Sequence, residues 1–192
     1  RDLRVATIAG GWDQDIRGVG RANGMPVTRV DRSNGPYSGR VYVSWTDNRN
    51  GEDDNDVWLV YSDEQGRNWT EPVRVNDDQP GAQQFFPWMD IDDVTGNVHI
   101  VFYDRRASFA KHQNLDLRST WDTEVYVASS YDGGDTWENL CVSEEEFRTN
   151  PKGFFGDYNN ISAYGGIVRP IWTRNDDGVL SIWTAVLDGY VE

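Results

Sequence analysis

The sequence predicts an all-β protein made of β-propeller blades, each a sheet of four antiparallel strands, with about three blades in the chain. Three observations predict it. An octet recurs as Ser62-Asp63-Glu64-Gln65-Gly66-Arg67-Asn68-Trp69 and Ser130-Tyr131-Asp132-Gly133-Gly134-Asp135-Thr136-Trp137, 68 positions apart. A second element, Gly39 to Arg49, recurs as Gly96 to Arg106 and more loosely as Gly166 to Arg174. The composition is rich in aromatic residues and glycine and lacks stretches of strong helix formers, which favours strands and turns. Recurrence at a fixed spacing marks supersecondary units that pack on their neighbours.

Each octet follows an apolar run, Val57 to Tyr61 or Val125 to Ala128, and precedes another short strand, Pro72 to Val75 or Leu140 to Val142. It therefore reads as a hairpin turn. The acid, Glu64 or Asp132, can accept backbone N–H groups within the turn. Gly66 and Gly134 allow a positive φ, and Trp69 and Trp137 fold back onto the sheet. Ser62 and Ser130 open the turns. With no histidine placed to help them, they read as structural rather than as hydrolase nucleophiles.

Short strands at Pro26 to Val30, Trp88 to Ile91 and Tyr158 to Ile161 complete the units. Blade one spans 26–84, blade two 85–153 and an incomplete blade three 154–192. Residues 1–25 read as a strand (Leu3 to Ile8) and loop completing a preceding blade, all in one propeller domain. Three blades are too few for an ordinary ring, so their open edges predict a partner: the remaining half of a propeller, from the same parent chain or a second copy.

The formal charge of −14, from 32 acidic and 18 basic residues, repels nucleic acid and anionic membrane surfaces, so neither is an expected partner. No apolar run is long enough for membrane insertion. Lysine occurs only at 111 and 152, which reads as a genomic or salt-habitat signature. The single Cys141 cannot form an internal disulfide and reads as a small buried hydrophobe.

From about residue 26 onward the chain resembles the sialidase-like six-bladed β-propellers that carry Asp-box (bacterial neuraminidase) repeats. Ser130 to Trp137 fits the Asp-box pattern at every position; Ser62 to Trp69 fits with Glu64 for Asp and Asn68 for Thr. The resemblance implies the C-terminal half of such a propeller, in a secreted or cell-surface bacterial protein whose partner is a carbohydrate or glycoconjugate. It implies either an exo-sialidase-like glycoside hydrolase or a non-catalytic glycan- or protein-binding adhesion module, because the octet recurs in both. With strand one innermost, the one-to-two and three-to-four turns share one face of the disc. The octets belong to that face, so a pocket belongs to the other.

Strand two ends, on the pocket face, at Asp47 and Arg49, at Asp104, Arg105 and Arg106, and at Arg174 and Asp176. Arg49, Arg105, Arg106 and Arg174 would suit a carboxylate-bearing substrate, as the arginine cluster of sialidases does for sialic acid. The alternative is a repeated blade-to-blade salt bridge. Positions that break the repeat are stronger site candidates, since the fold does not ask for them. Blade three is entered through Phe155-Gly156-Asp157-Tyr158-Asn159-Asn160, where the other blades have Met25-Pro26 and Phe86-Pro87. A tyrosine nucleophile with an acidic partner is the sialidase device, which makes Asp157 and Tyr158 catalytic candidates, with Asp104 a further acid; a structural turn is the alternative. The sequence holds no Arg-Ile-Pro segment and no early-blade general acid, and Tyr158 lies outside the sialidase tyrosine motif.

The loop Ala107 to Asp122 is long and carries Phe109, Lys111, His112, Asn114, Arg118 and Trp121, the last a candidate substrate platform. His99 takes the place of Tyr42 and reads as a strand residue. Asp47, Asp53, Asp54 and Asp56 crowd a loop around Gly51, which offers oxygen ligands for calcium or is simply a solvated acidic loop. No other cofactor is required, and no zinc spacing is present.

Overall fold

A computed structural model describes residues 1–111, 122–149 and 155–188. Three antiparallel sheets follow one another along the chain. The first holds β1 (Val27–Val30), β2 (Val41–Gly51), β3 (Asp54–Ser62) and β4 (Val73–Arg74), paired in that order. The second holds β5 (Gln84–Ile91), β6 (Val98–Asp104), β7 (Asp122–Ser130) and β8 (Glu138–Cys141), with β9 (Phe147–Arg148) also on β7. A short helix, α1 (Arg106–Lys111), follows β6, so the long loop predicted from Ala107 begins helical. The third sheet holds β10 (Asn160–Tyr164), β11 (Ile167–Asp176) and β12 (Val179–Thr184), with β13 (Leu187–Asp188) on β11.

In the second sheet β6 is covered on both faces, so its apolar residues run almost unbroken instead of alternating with polar ones. All seven residues of β6 are buried. Its Ile100 and Phe102 join Tyr42, Val57 and Leu59 in the core between the first and second sheets. Its Val101 and Tyr103 point the other way, into a core with Ile161, Ala163, Val168 and Trp172 of the third sheet. Polar links cross the same boundaries. The Asp92 carboxylate accepts the N–H groups of Gly165 (2.9 Å) and Gly166 (2.7 Å) in the β10–β11 turn. The Tyr103 hydroxyl donates to the Thr173 carbonyl at 2.7 Å.

The outer faces differ. Trp45, Trp58 and Val60 of the first sheet are covered by Val5, Ala6 and Ile8. Residues Leu3 to Ile8 form no strand, contrary to the sequence expectation, because they pack on the sheet face by side chains and make no ladder. On the third sheet, Tyr164, Ile167, Ile171, Leu180 and Ile182 lie exposed, with Ile182 at 78%. The first strand of that sheet also begins later than predicted, at Asn160 rather than Tyr158. Pairing Ile161 with Pro170 and Ala163 with Val168 brings these buried residues onto one face, and a shift by an odd number of residues would turn them outward.

Both octets are three-to-four turns. The Ser130 hydroxyl donates to Asp132 (2.9 Å) and accepts the Gly134 N–H (2.8 Å), while Asp132 also accepts the N–H groups of Asp135 and Thr136. In the first octet Ser62 accepts from Glu64 and Gly66, and Asn68 donates to Glu64 at 2.7 Å. Gly134 has φ +98, and a Cβ there would lie 2.9 Å from Leu59, so the second turn presses on the first sheet. Arg40, just ahead of β2, pairs with Asp63 at 2.7 Å, donates to the Gly133 carbonyl at 2.8 Å, and stacks over Tyr61 at 3.8 Å. This places the one-to-two connection and both octets on one rim.

Leu59 is fully buried between two sheets, whereas Leu180 is 54% exposed. Leu59→Ala is expected to lower unfolding free energy by about 3 kcal/mol, and Leu180→Ala by less than about 0.5 kcal/mol, as read by urea denaturation.

Candidate functional site

The opposite rim collects the far ends of β2, β6 and β11, the helix α1, the connections entering β5 and β10, and residues 9–25. This last segment folds over the ends of the sheets. Gln14 and Thr46 exchange hydrogen bonds, Gln14 Nε2 donating to the Thr46 carbonyl and Thr46 Oγ1 to Gln14 Oε1 (3.0 Å). Ile16, Ala22 and Met25 enter the core beside Phe85, Phe86 and Phe155.

On this rim Asp157 and Arg21 form an ion pair, with Nε donating to Oδ1 at 3.2 Å and Nη2 contacting Oδ2. Hydrogen bonding and the charge of Asp157 hold the Arg21 guanidinium above its ordinary range. The Asp157 side chain is 14% exposed, so the arginine and the turn enclose it. Tyr158, by contrast, is 66% exposed, and its ring meets Trp88 edge-on at 6.4 Å. The Trp88 indole N–H is buried with no hydrogen-bond partner among the described residues. Asn159 fixes the turn from below by donating to the Phe86 carbonyl at 3.0 Å. Phe86, at φ +52, and Met25, at φ +44, hold left-handed backbone immediately before Pro87 and Pro26. Such φ values are strained for bulky residues, and the surrounding core keeps them in place.

The remaining candidates are dispersed by their own partners. Arg49 pairs with Asp47 at 2.6 Å and stacks over Trp58 at 4.5 Å. Arg106 pairs with Asp104 at 2.8 Å and with Asp77, over Tyr126 at 4.1 Å. Arg174 pairs with Asp176 at 2.7 Å and Glu145 at 2.8 Å, over Trp183 at 4.7 Å. Each blade thus repeats one device: an arginine locked to an acid two residues away and laid on an aromatic ring. Asp104 is fully buried, and burial pushes its carboxyl up to about 6 against the pull of Arg106. Arg105 alone turns into the interior, 4% exposed. Trp121 lies outside the described residues.

The four acids of the proposed calcium loop are each engaged. Asp47 accepts from Arg49, Trp45 and Ala9, and Asp56 accepts from Arg74, Asn76 and Asn50. Asp54 accepts the Gly81 N–H, and Asp53 pairs with Arg17. Among the described residues no three His, Cys, Asp or Glu side chains are gathered so as to hold a metal. No helix among them is long and apolar enough to cross a membrane.

Sequence reasoning missed Arg17, Arg21 and Trp88. The first two lie outside the repeat, in a segment with no pattern of its own. Trp88 sits in a strand position the repeat leaves free. His99, on β6, proves to be paired: its Nδ1 lies 2.8 Å from Ser129 Oγ. Burial lowers its pKa to about 4, with Asp92 and Asp90 opposing. The unfolded chain takes up this proton near pH 6.5 and the folded chain only near 4. The contribution of His99 is therefore complete above about pH 6.5 and shrinks by about 3 kcal/mol as the pH drops to 4, while the raised pKa of Asp104 acts in the opposite direction. His99→Gln is expected to flatten that part of the stability–pH curve, measured by denaturant midpoints at a series of pH values.

No family model matches the sequence, and no curated protein matches it. Solved structures do. A Hadza microbial sialidase, Hz136, aligns at 14% identity and TM-score 0.54, covering 85% of this chain and 34% of its own. The family 117 glycoside hydrolase Zg3597 of the marine bacterium Zobellia galactanivorans aligns at 15% identity and TM-score 0.51, covering 93% and 59%. The NanB sialidase of Streptococcus pneumoniae aligns at 11% identity and TM-score 0.54, covering 98% and 45%. The chain spans about a third to three-fifths of the length of these proteins. At such identities the likeness shows the fold: part of a sialidase-like β-propeller.

Proposed function

We propose that the chain belongs to a secreted or cell-surface carbohydrate-active propeller, an exo-sialidase-like glycoside hydrolase, acting at the rim opposite the octets. The observation that carries this reading is an exposed tyrosine next in sequence to a largely enclosed acid. Tyr158 stands 66% exposed next in sequence to Asp157, which Arg21 holds in place. A phenolic oxygen is a poor nucleophile at neutral pH unless a neighbour takes its proton or favours its anion. In this reading Arg21 orients Asp157 and Asp157 takes the phenolic proton of Tyr158. The phenolic oxygen bonds to the anomeric carbon as the glycosidic bond breaks, the aglycone leaves with a proton from water, and a second water hydrolyses the glycosyl–tyrosine bond and restores the tyrosine. Trp88 supplies an apolar edge for the sugar. The bare face of the third sheet, around Ile171 and Ile182, packs against a further blade, from the same parent chain or a second copy.

A second reading is a propeller that binds a glycan without cleaving it. It is favoured by the local pairing of Asp47, Asp104 and Asp176 with arginines, which leaves Asp157 as the acid beside the exposed tyrosine.

A panel of aryl glycosides and sialosides separates the two. Hydrolysis by the wild type is expected to fall at least about a hundredfold in Tyr158→Phe and in Asp157→Asn, with both variants melting as the wild type does. Equal rates in wild type and Tyr158→Phe would retire the nucleophile. Glycan binding by calorimetry without hydrolysis would establish the second reading.

A further inference from the structure

Arg105 follows β6 directly and turns its guanidinium into the protein beneath residues 15–18. Its Nε donates to Thr123 Oγ1 at 3.4 Å and its Nη2 to Thr149 Oγ1 at 2.9 Å. Its Nη1 donates to the Arg17 carbonyl and, at 3.5 Å, to Gln83 Oε1. Every one of these acceptors is neutral. Among the described residues no carboxylate stands within ion-pair distance. Asp122, whose charge reaches the guanidinium, is held by Arg148 at 2.6 Å. The nearby positive charge of Arg17 adds to the cost of burial, and together they pull Arg105 down to about 9.

A buried guanidinium without a counter-charge carries a desolvation cost of several kcal/mol, which is why buried charges are almost always paired. The surroundings hold a second unsatisfied group. Ser108, on α1, is 3% exposed, and its hydroxyl is buried with no hydrogen-bond partner among the described residues. Arg17, Gly81, Gln83, Ser108 and Phe109 line a small opening with Arg105, of about 20 Å³. That volume admits a water-sized occupant and no sugar ring. Arg17 brings a second guanidinium, which Asp53 pairs at 2.7 Å from an exposed position. Among the described residues the lining thus holds two arginines and no acid, in a chain whose formal charge is −14.

We propose that Arg105, Arg17 and Ser108 form a binding site for a small monovalent anion of halide size. The anion supplies the charge the Arg105 guanidinium lacks, accepts the Ser108 hydroxyl proton, and ties the N-terminal segment and α1 to the end of β6. Halides accept hydrogen bonds from any direction, which suits donors arriving from three separate segments. A carboxylate has the same charge but needs a planar, two-oxygen slot, so formate is the discriminating competitor. This site is independent of the carbohydrate reading and stands or falls apart from it.

The test is the thermal unfolding of the full chain titrated with sodium chloride or bromide against sodium gluconate at constant ionic strength. A saturable rise in Tm with halide is expected, as is required of a ligand that binds only the folded state. The half-saturating bromide concentration should rise at least tenfold in Ser108→Ala and in Arg17→Gln, and Arg105→Gln should abolish the effect if it folds. A bromide anomalous peak between Arg105 Nη and Ser108 Oγ would place the ion directly. Identical melting in halide and gluconate would overturn the proposal. So would an unchanged halide response in Ser108→Ala, or a response to formate alone.

Discussion

A thin sheet exposes two faces, and one sheet cannot bury either of them alone. Everything else in this molecule follows from that. The faces of the first and second sheets meet through Tyr42, Leu59, Ile100 and Phe102, and those of the second and third through Tyr103, Ile161 and Trp172. The middle sheet is therefore the most completely buried, and β6 has no exposed residue. Hydrophobic burial between sheets is the dominant favourable term, while the ladders set only which residues face which way. The outward face of the first sheet meets the same demand by taking Val5, Ala6 and Ile8 of the N-terminal segment.

Chemistry at the two rims divides accordingly. One rim is closed by turn chemistry, in which serine and acidic side chains satisfy backbone N–H groups and Arg40 bridges the two octets. The other is closed by charge. Arg49, Arg106 and Arg174 each fold onto a ring of their own sheet and onto an acid two residues away. At Asp47 and Arg49 of β2, and at Arg174 and Asp176 of β11, residues two apart on a strand share a face, so their side chains meet at once; Arg106, at the start of α1, reaches back to Asp104 at the end of β6. An arginine so occupied supports the sheet end and has little freedom to clamp a substrate.

Function is then expected where the repeat gives way. The entry into β10 lacks the proline that the other two sheets use, and the chain there sets Tyr158 out toward solvent while Asp157 is enclosed beside Arg21. Arg105 marks a second departure. Its neighbour Arg106, at the start of α1, obeys the repeated device, whereas Arg105, in the link between β6 and α1, turns the other way, into a place where no carboxylate among the described residues pairs with it.

The sequence by itself determined the all-β class, the four-stranded unit, the hairpin role of the octets and the rim on which they lie. All of these are written in local signals: glycines for left-handed turns, serine and acid at fixed offsets, and apolar runs of strand length. The break at Asp157 and Tyr158 was legible for the same reason, as a local departure from a local pattern. Only the tertiary structure decided where the arginines point, since Arg105 and Arg106 are adjacent in sequence and opposite in environment. It decided too that Leu3 to Ile8 packs without pairing, that β10 begins at Asn160, and that Arg21 reaches Asp157 across 136 positions. These outcomes depend on burial and on charges brought together from distant segments, and short-range spacing carries no record of either.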